Sequence, residues 1–248
     1  GTLVGIDVRV HWSAKSAMLK LSIPTVFPEG RYVGQVAYGV DVLPTTYEAV
    51  SQKWSAVVSD RENQAVAVIN NGVYGSDMRD GEMRLSLLRS PAYSGHPVSE
   101  TAVADERPMV LEDRFTPRID QGERTYQFWL CAGPKDALLD SVDRVALVCN
   151  ERPPALSFYP PGQGERPKPL AILTDPVVQI PTVKQAEDGN GYILRLFEPT
   201  GQARTTTVML PVLDTQWTVQ LGPFEIKTFR IAPQTGEVCE ADLLERPL

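Results

Sequence analysis

The stretch from Ala65 to Pro91 constrains the fold more than any other part of this 248-residue chain. It opens with an apolar run rich in β-branched residues (Val66, Val68, Ile69), stops at Asn70-Asn71-Gly72, turns again at Gly75, and resumes at Met83. Strict alternation through Met83-Arg84-Leu85-Ser86-Leu87 places Met83, Leu85 and Leu87 on one face and Arg84 and Ser86 on the other. That period of two belongs to a half-buried strand and is incompatible with a helix. Asn and Gly tolerate positive φ, so the corner between the runs bends tightly and holds Tyr74 and Asp77 at a strand end. Polar corners on rigid sheets are common places for ligand contacts.

The same reading extends along the chain. Residues 3–12 and 17–26 read as strands, 32–43 as a third closed by Pro44, and 54–59 with 65–70 as a hairpin across Asp60–Asn63. Residues 92–121 are polar and carry prolines at 97, 108 and 117, which predicts a long loop before the strand 124–131. Between Asp136 and Val148, apolar residues at 138, 139, 142, 145 and 146 follow helical spacing, with Asp136 suited to the positive end of the helix dipole. Six prolines and two glycines in residues 151–169 forbid a regular ladder. Behind them, 171–183, 191–198, 203–212, 215–221 and 224–232 suggest a small sandwich with turns at 187–191, 199–201 and 222–223. The expected fold is mainly β: an antiparallel β-sandwich portion over 1–150, a Pro-rich linker over 151–169, and a second, smaller C-terminal β-sandwich over 170–248, with one helix.

A net charge of −7 argues against a nucleic-acid surface, which needs clustered Lys and Arg, and suits neutral partners such as sugars. No apolar run approaches the roughly 20 residues of a membrane helix. The three cysteines, 131, 149 and 239, are odd in number and widely spaced, which fits reduced thiols in a cytoplasmic protein better than disulfides or a zinc site. The two histidines, His11 and His96, lie far apart, and no nucleophile elbow, phosphate loop or zinc-binding helix is present. The four tryptophans, 12, 54, 129 and 217, sit in strand-like apolar context and are expected to pack in cores.

The words Asn70-Asn-Gly-Val-Tyr-Gly75 and Met83-Arg-Leu-Ser-Leu-Leu-Arg-Ser-Pro91 resemble the C-terminal β-domains of glycoside hydrolase family 38, the retaining α-mannosidases. Val8-Arg-Val-His-Trp12 with Met18-Leu-Lys-Leu-Ser-Ile-Pro24, Ala37-Tyr-Gly39, Ile193–Gly201 and Glu225–Phe229 agree in order and spacing. The resemblance covers roughly residues 5–133 and 190–232. It implies a portion of a galactose-mutarotase-like super-sandwich. It also implies a catalytic aspartate and a zinc ion in an N-terminal barrel domain whose words are not found in this chain. On that reading the chain is the back portion of a longer enzyme and holds no cofactor of its own. Its partners would be an α-mannoside and the catalytic domain, with a homo-oligomer possible and neither nucleic acid nor membrane.

Within the family pattern Arg89 falls where an arginine lies near the bound sugar. A guanidinium offers fixed donors to hydroxyls, and a cross-strand ion pair would use them equally well. Tyr74 can stack on a pyranose ring or pack beneath the corner, and Asn71 can read hydroxyls or only form the turn. Asp77 completes the substrate-binding set beside a turn-forming role. The long loop 92–121 and the strand end Trp129-Leu-Cys-Ala-Gly133, which has no histidine, depart from the family. The alternative to an enzyme's C-terminal region is a free-standing carbohydrate-binding β-sandwich.

Overall fold

Alternating sequence produces an antiparallel sandwich in the first part of the chain. The computed structural model describes residues 3–91, 117–152, 154–157, 162 and 168–248. Most of the 92–121 loop, His96 and much of the 151–169 linker lie outside the described residues. Contacts divide the chain into unit 1, residues 1–32 and 42–133, and unit 2, residues 33–41 and 134–248.

In unit 1, β1 (Val4–Trp12), β10 (Gly122–Pro134), β7 (Gln64–Asn70), β6 (Trp54–Ser59) and the start of β3 (Arg31–Val36) lie side by side in that order. A second sheet has the order β2 (Met18–Pro24), β9 (Glu82–Arg89), β8 (Gly75–Arg79), β5 (Ala49–Val50). Ile23, Met78, Met83 and Leu85 from the second sheet meet Tyr32, Val57, Val68 and Phe128 from the first. Burying Met83 and Leu85, both essentially inaccessible, contributes about 1.5–3 kcal/mol each. The Tyr32 phenol crosses this core and lies 2.7 Å from Ser76 Oγ and 3.2 Å from Ser55 Oγ, so the buried hydroxyl is satisfied.

Several sequence boundaries are corrected. The predicted strand over 32–43 is a hairpin, β3 followed by β4 (Gly39–Val42), because Tyr38 takes a left-handed conformation (φ 53°) and ends the extended run. The corner is not followed by a single strand. β8 intervenes, and Asp80-Gly81, both at positive φ, form the two-residue turn into β9. Trp54 and Trp129 are buried as expected, and Trp12 and Trp217 are half-buried.

Unit 2 holds helix α1 (Lys135–Asn150). Its buried face is Leu138, Val142 and Ala146, as the spacing predicts, together with Asp143. Asp143 accepts hydrogen bonds from Gln35 (2.6 Å) and Gln179 (2.6 Å), so its burial is compensated. The small sandwich pairs the sheet β12 (Gln179–Gln185), β13 (Tyr192–Phe197), β16 (Ile226–Ile231), β17 (Val238–Ala241) with the sheet β11 (Ile172–Leu173), β14 (Arg204–Leu210), β15 (Thr215–Leu221). Leu194, Leu196, Val208, Val219 and Phe229 fill its core. The expected strand 171–183 divides into β11 and β12, which belong to different sheets, and β17 is additional to the predicted set.

Candidate functional site

A defect in one ladder positions the most suggestive side chain. β2 pairs with β9 in regular register from Pro24↔Glu82 to Lys20↔Ser86, then slips so that Leu19 faces Leu88 and Met18 faces Arg89. One extra residue on β9 makes this a bulge, which reverses the alternation beyond it. Met83 and Leu85 point inward, Leu87 is only half-buried, Leu88 takes the buried position, and Arg89 turns outward. Without the bulge, Arg89 would share the core face. In the structure it is exposed and has no side-chain partner among the described residues.

The register also decides its neighbours. Ser76 faces Leu85 and Asp77 faces Arg84, so the entry to β8 lies at the same end of the sheet as the exit of β9. Tyr74, which precedes β8 and is 51% exposed, therefore occupies the same end as Arg89. Tyr74 does not pack beneath the corner. The corner is built instead by Asn70, whose amide donates to Gln52 O (2.8 Å) while its Oδ1 accepts from Gly72 N (3.1 Å) and Val73 N (3.0 Å). Asn71 is left exposed by that turn and lines a shallow cleft of about 400 Å³ with Asp7, Arg9, Tyr126 and Gln127.

Asp77 belongs to a different arrangement. It sits within β8 on the outer face, where Arg84 Nε and Nη2 donate to its two oxygens at 2.8 and 2.7 Å. Lys20 Nζ lies 3.2 Å from Asp77 and 2.6 Å from Glu48, and Ser86 donates to Glu48. Partial burial would raise the Asp77 carboxyl, but the hydrogen bonds from Arg84 and Lys20 outweigh it and hold the group below its ordinary value. Arg84 is correspondingly raised, chiefly by its hydrogen bond to Asp77. Gly75 makes room for this network, since a Cβ there would meet Glu48 Oε1 at 3.2 Å. Asp77 is thus engaged by Arg84 and Lys20 on the outer face, whereas Tyr74 and Arg89 are exposed at the strand ends.

Arg89 offers a planar set of donors and Tyr74 an aromatic face at the strand ends, and Asn71 an amide in its own cleft, each suited to hydroxyl groups. The described side chains do not make a metal site, as no group of three His, Cys, Asp or Glu stands together. His11 is exposed on β1, opposite Glu123 in register. One constellation has no counterpart among the sequence-predicted site residues: Ser90, Trp12 and Gln121 around the turn 13–17. Its members are ordinary residue types; the β2–β9 ladder brings Ser90 to the turn, and the β1–β10 ladder, through Trp12↔Gly122, brings Gln121.

Two antiparallel β-sandwiches define the class of this protein as a mainly β, two-sandwich module. Two family descriptions match the chain: "Glycosyl hydrolases family 38 C-terminal domain" over residues 1–102 and "Glycosyl hydrolases family 38 C-terminal beta sandwich domain" over residues 177–229. The chain belongs to the C-terminal region of the family 38 glycosyl hydrolases. It is 22% identical over 269 residues to alpha-mannosidase G of Dictyostelium discoideum, covering 92% of this chain and 22% of that protein. Two solved structures from Enterococcus faecalis share the fold. One is of an alpha-mannosidase and the other of a protein in glycosyl hydrolase family 38, each with a TM-score of 0.71 at 18% identity over 93% of this chain. The chain spans 27% and 28% of those two.

Proposed function

We propose that these β-domains form the C-terminal region of a retaining α-mannosidase and complete its active-site rim. The observation that carries this reading is the pair of family 38 C-terminal matches on one chain, 1–102 and 177–229. In the proposed division of labour an N-terminal catalytic domain supplies the nucleophile, the acid/base carboxylate and the zinc ion, and the β-domains supply shape and hydroxyl contacts. The exposed Arg89, without a side-chain partner among the described residues, and the exposed Tyr74 are the residues suited to those contacts. Three free cysteines fit a cytoplasmic enzyme.

The test compares the 248-residue chain with the full-length enzyme on an aryl α-mannoside. The expected outcome is turnover by the full-length protein and none by the chain alone. Enzyme-like hydrolysis by the chain alone would overturn the division of labour. Calorimetric binding of mannosides to the isolated chain, at millimolar affinity or better, would move the reading to a free-standing carbohydrate-binding module.

A further inference from the structure

Ser90 is fully buried although it directly follows an exposed arginine and precedes Pro91. Its surroundings explain the burial. Ser90 Oγ donates to Ala14 O at 2.7 Å, with Ala17 O at 3.3 Å, and accepts from the indole Nε1 of Trp12 at 3.1 Å. Its backbone is held as well: Ser90 N donates to Ala17 O (2.9 Å) and Ser16 N donates to Ser90 O (2.8 Å). From the far side of the turn, Gln121 Nε2 donates to Ser13 O (3.1 Å) and Ala14 O (3.2 Å). The Ser90 hydroxyl thereby fastens the end of β1 and the turn 13–17 to the end of β9, and Gln121, just before β10, holds the same turn through its carbonyls.

This matters for Arg89 because the bulge leaves its direction to be set locally. Beyond the slip at Leu87 and Leu88, the Met18↔Arg89 pairing, the Ser90 clasp and a bond from Ile119 N to Pro91 O (3.4 Å) hold the strand end among the described residues. A residue just past a bulge is re-aimed by small changes in the bulge. We infer that Ser90 is a positioning residue for Arg89: its buried hydroxyl fixes the turn 13–17 against the bulged end of β9 and so directs the guanidinium outward toward substrate. The inference rests on the proposed role of Arg89 at the active-site rim and adds the support on which that role depends. Groups that touch substrate work best when a packed, hydrogen-bonded shell holds them within a fraction of an ångström.

The experiment is a double-mutant cycle in the full-length enzyme with an α-mannoside substrate, reading kcat and KM separately, with the melting temperature followed alongside. Arg89→Ala is expected to lower kcat/KM by about tenfold or more, the size of a lost charge-assisted hydrogen bond. Ser90→Ala is expected to lower it by about three- to tenfold. The double variant should be no worse than Arg89→Ala alone, because Ser90 acts through Arg89. Ser90→Cys, which keeps the size and a weak donor, should recover part of the loss.

If Arg89→Ala matters and Ser90→Ala adds its full loss on top of it, the positioning role is wrong while the rim reading stands. If Arg89→Ala has no effect, the rim reading falls and the positioning role falls with it. Should Ser90→Ala fail to fold, Gln121→Ala loosens the same turn from an exposed position and takes its place in the cycle. Additivity of Gln121→Ala with Arg89→Ala, or no effect of it on kcat/KM, would then overturn the inference.

Discussion

Arg89 and Arg84 lie on one strand, and their surroundings assign them opposite roles. Arg84 spends its fork on Asp77, whose side chain is 17% exposed and which Lys20 also approaches. Arg89 has no side-chain partner among the described residues, which leaves its donors for whatever meets the strand end. Arg89→Ala should therefore lower kcat on α-mannosides in the full-length enzyme while leaving the melting temperature within a few degrees. A large drop in melting temperature without a separate effect on turnover would make Arg89 a structural residue. Asp77→Asn should do the reverse, costing about 1–2 kcal/mol in urea denaturation, because it leaves Arg84 without its bidentate partner, with turnover nearly unchanged. If turnover falls and stability does not, Asp77 belongs with the substrate contacts.

At the scale of elements, the alternation of Met83, Leu85 and Leu87 was legible because a period of two has few other causes. The bulge that follows was not, since Leu87-Leu88 supplies apolar side chains to either phase and sequence alone cannot say which one is buried. The β8–β9 hairpin carried a signal that a single-corner reading passed over: Asp80-Gly81 is the two-residue sequence that a tight antiparallel turn prefers. Gly81 has φ +78°, and a Cβ there would lie 2.7 Å from Phe27 O. Both facts point the same way. Gly81→Ala should destabilise unit 1 by about 1–3 kcal/mol, through strain at positive φ and through displacing the 27–28 backbone. An unchanged urea midpoint would show that the turn relaxes at little cost. The buried Asp143 escaped sequence reading for another reason: helical spacing finds the apolar face of α1, but its two glutamine partners come from distant segments.

For the whole molecule, the mainly β class and the two sandwiches followed from alternation and turn residues, whereas the polar groups that hold each unit together did not. The largest of these is in unit 2. Glu198 is fully buried, and its carboxylate accepts hydrogen bonds from Thr200 N (2.8 Å), Gly201 N (2.7 Å), Gln202 N (3.1 Å) and Phe224 N (3.1 Å). Arg204 Nε adds another at 3.2 Å, and its Nη2 reaches Asp140 of α1 at 2.5 Å. In sequence, Glu198-Pro-Thr-Gly201 reads only as a turn. Burial would raise this carboxyl, but the Thr200 hydroxyl and the backbone N–H groups of Phe224, Thr200 and Gly201 more than offset it, so it titrates below its ordinary value of 4.5. Asp77 in unit 1 is shifted in the same direction from 3.8. A carboxyl whose folded value is depressed contributes stability that is fully present above its unfolded value and is lost as pH falls through the folded one. The melting temperature should thus be flat near neutrality and decline once pH drops below the mid-fours. Glu198→Gln removes that titration and faces amide hydrogens toward backbone donors, so it should cost about 3 kcal/mol or more at pH 7 and flatten the acid limb of the curve. Melting temperatures of both proteins between pH 7 and pH 3 decide the matter: parallel acid limbs would mean that Glu198 is not the group whose protonation loosens the fold.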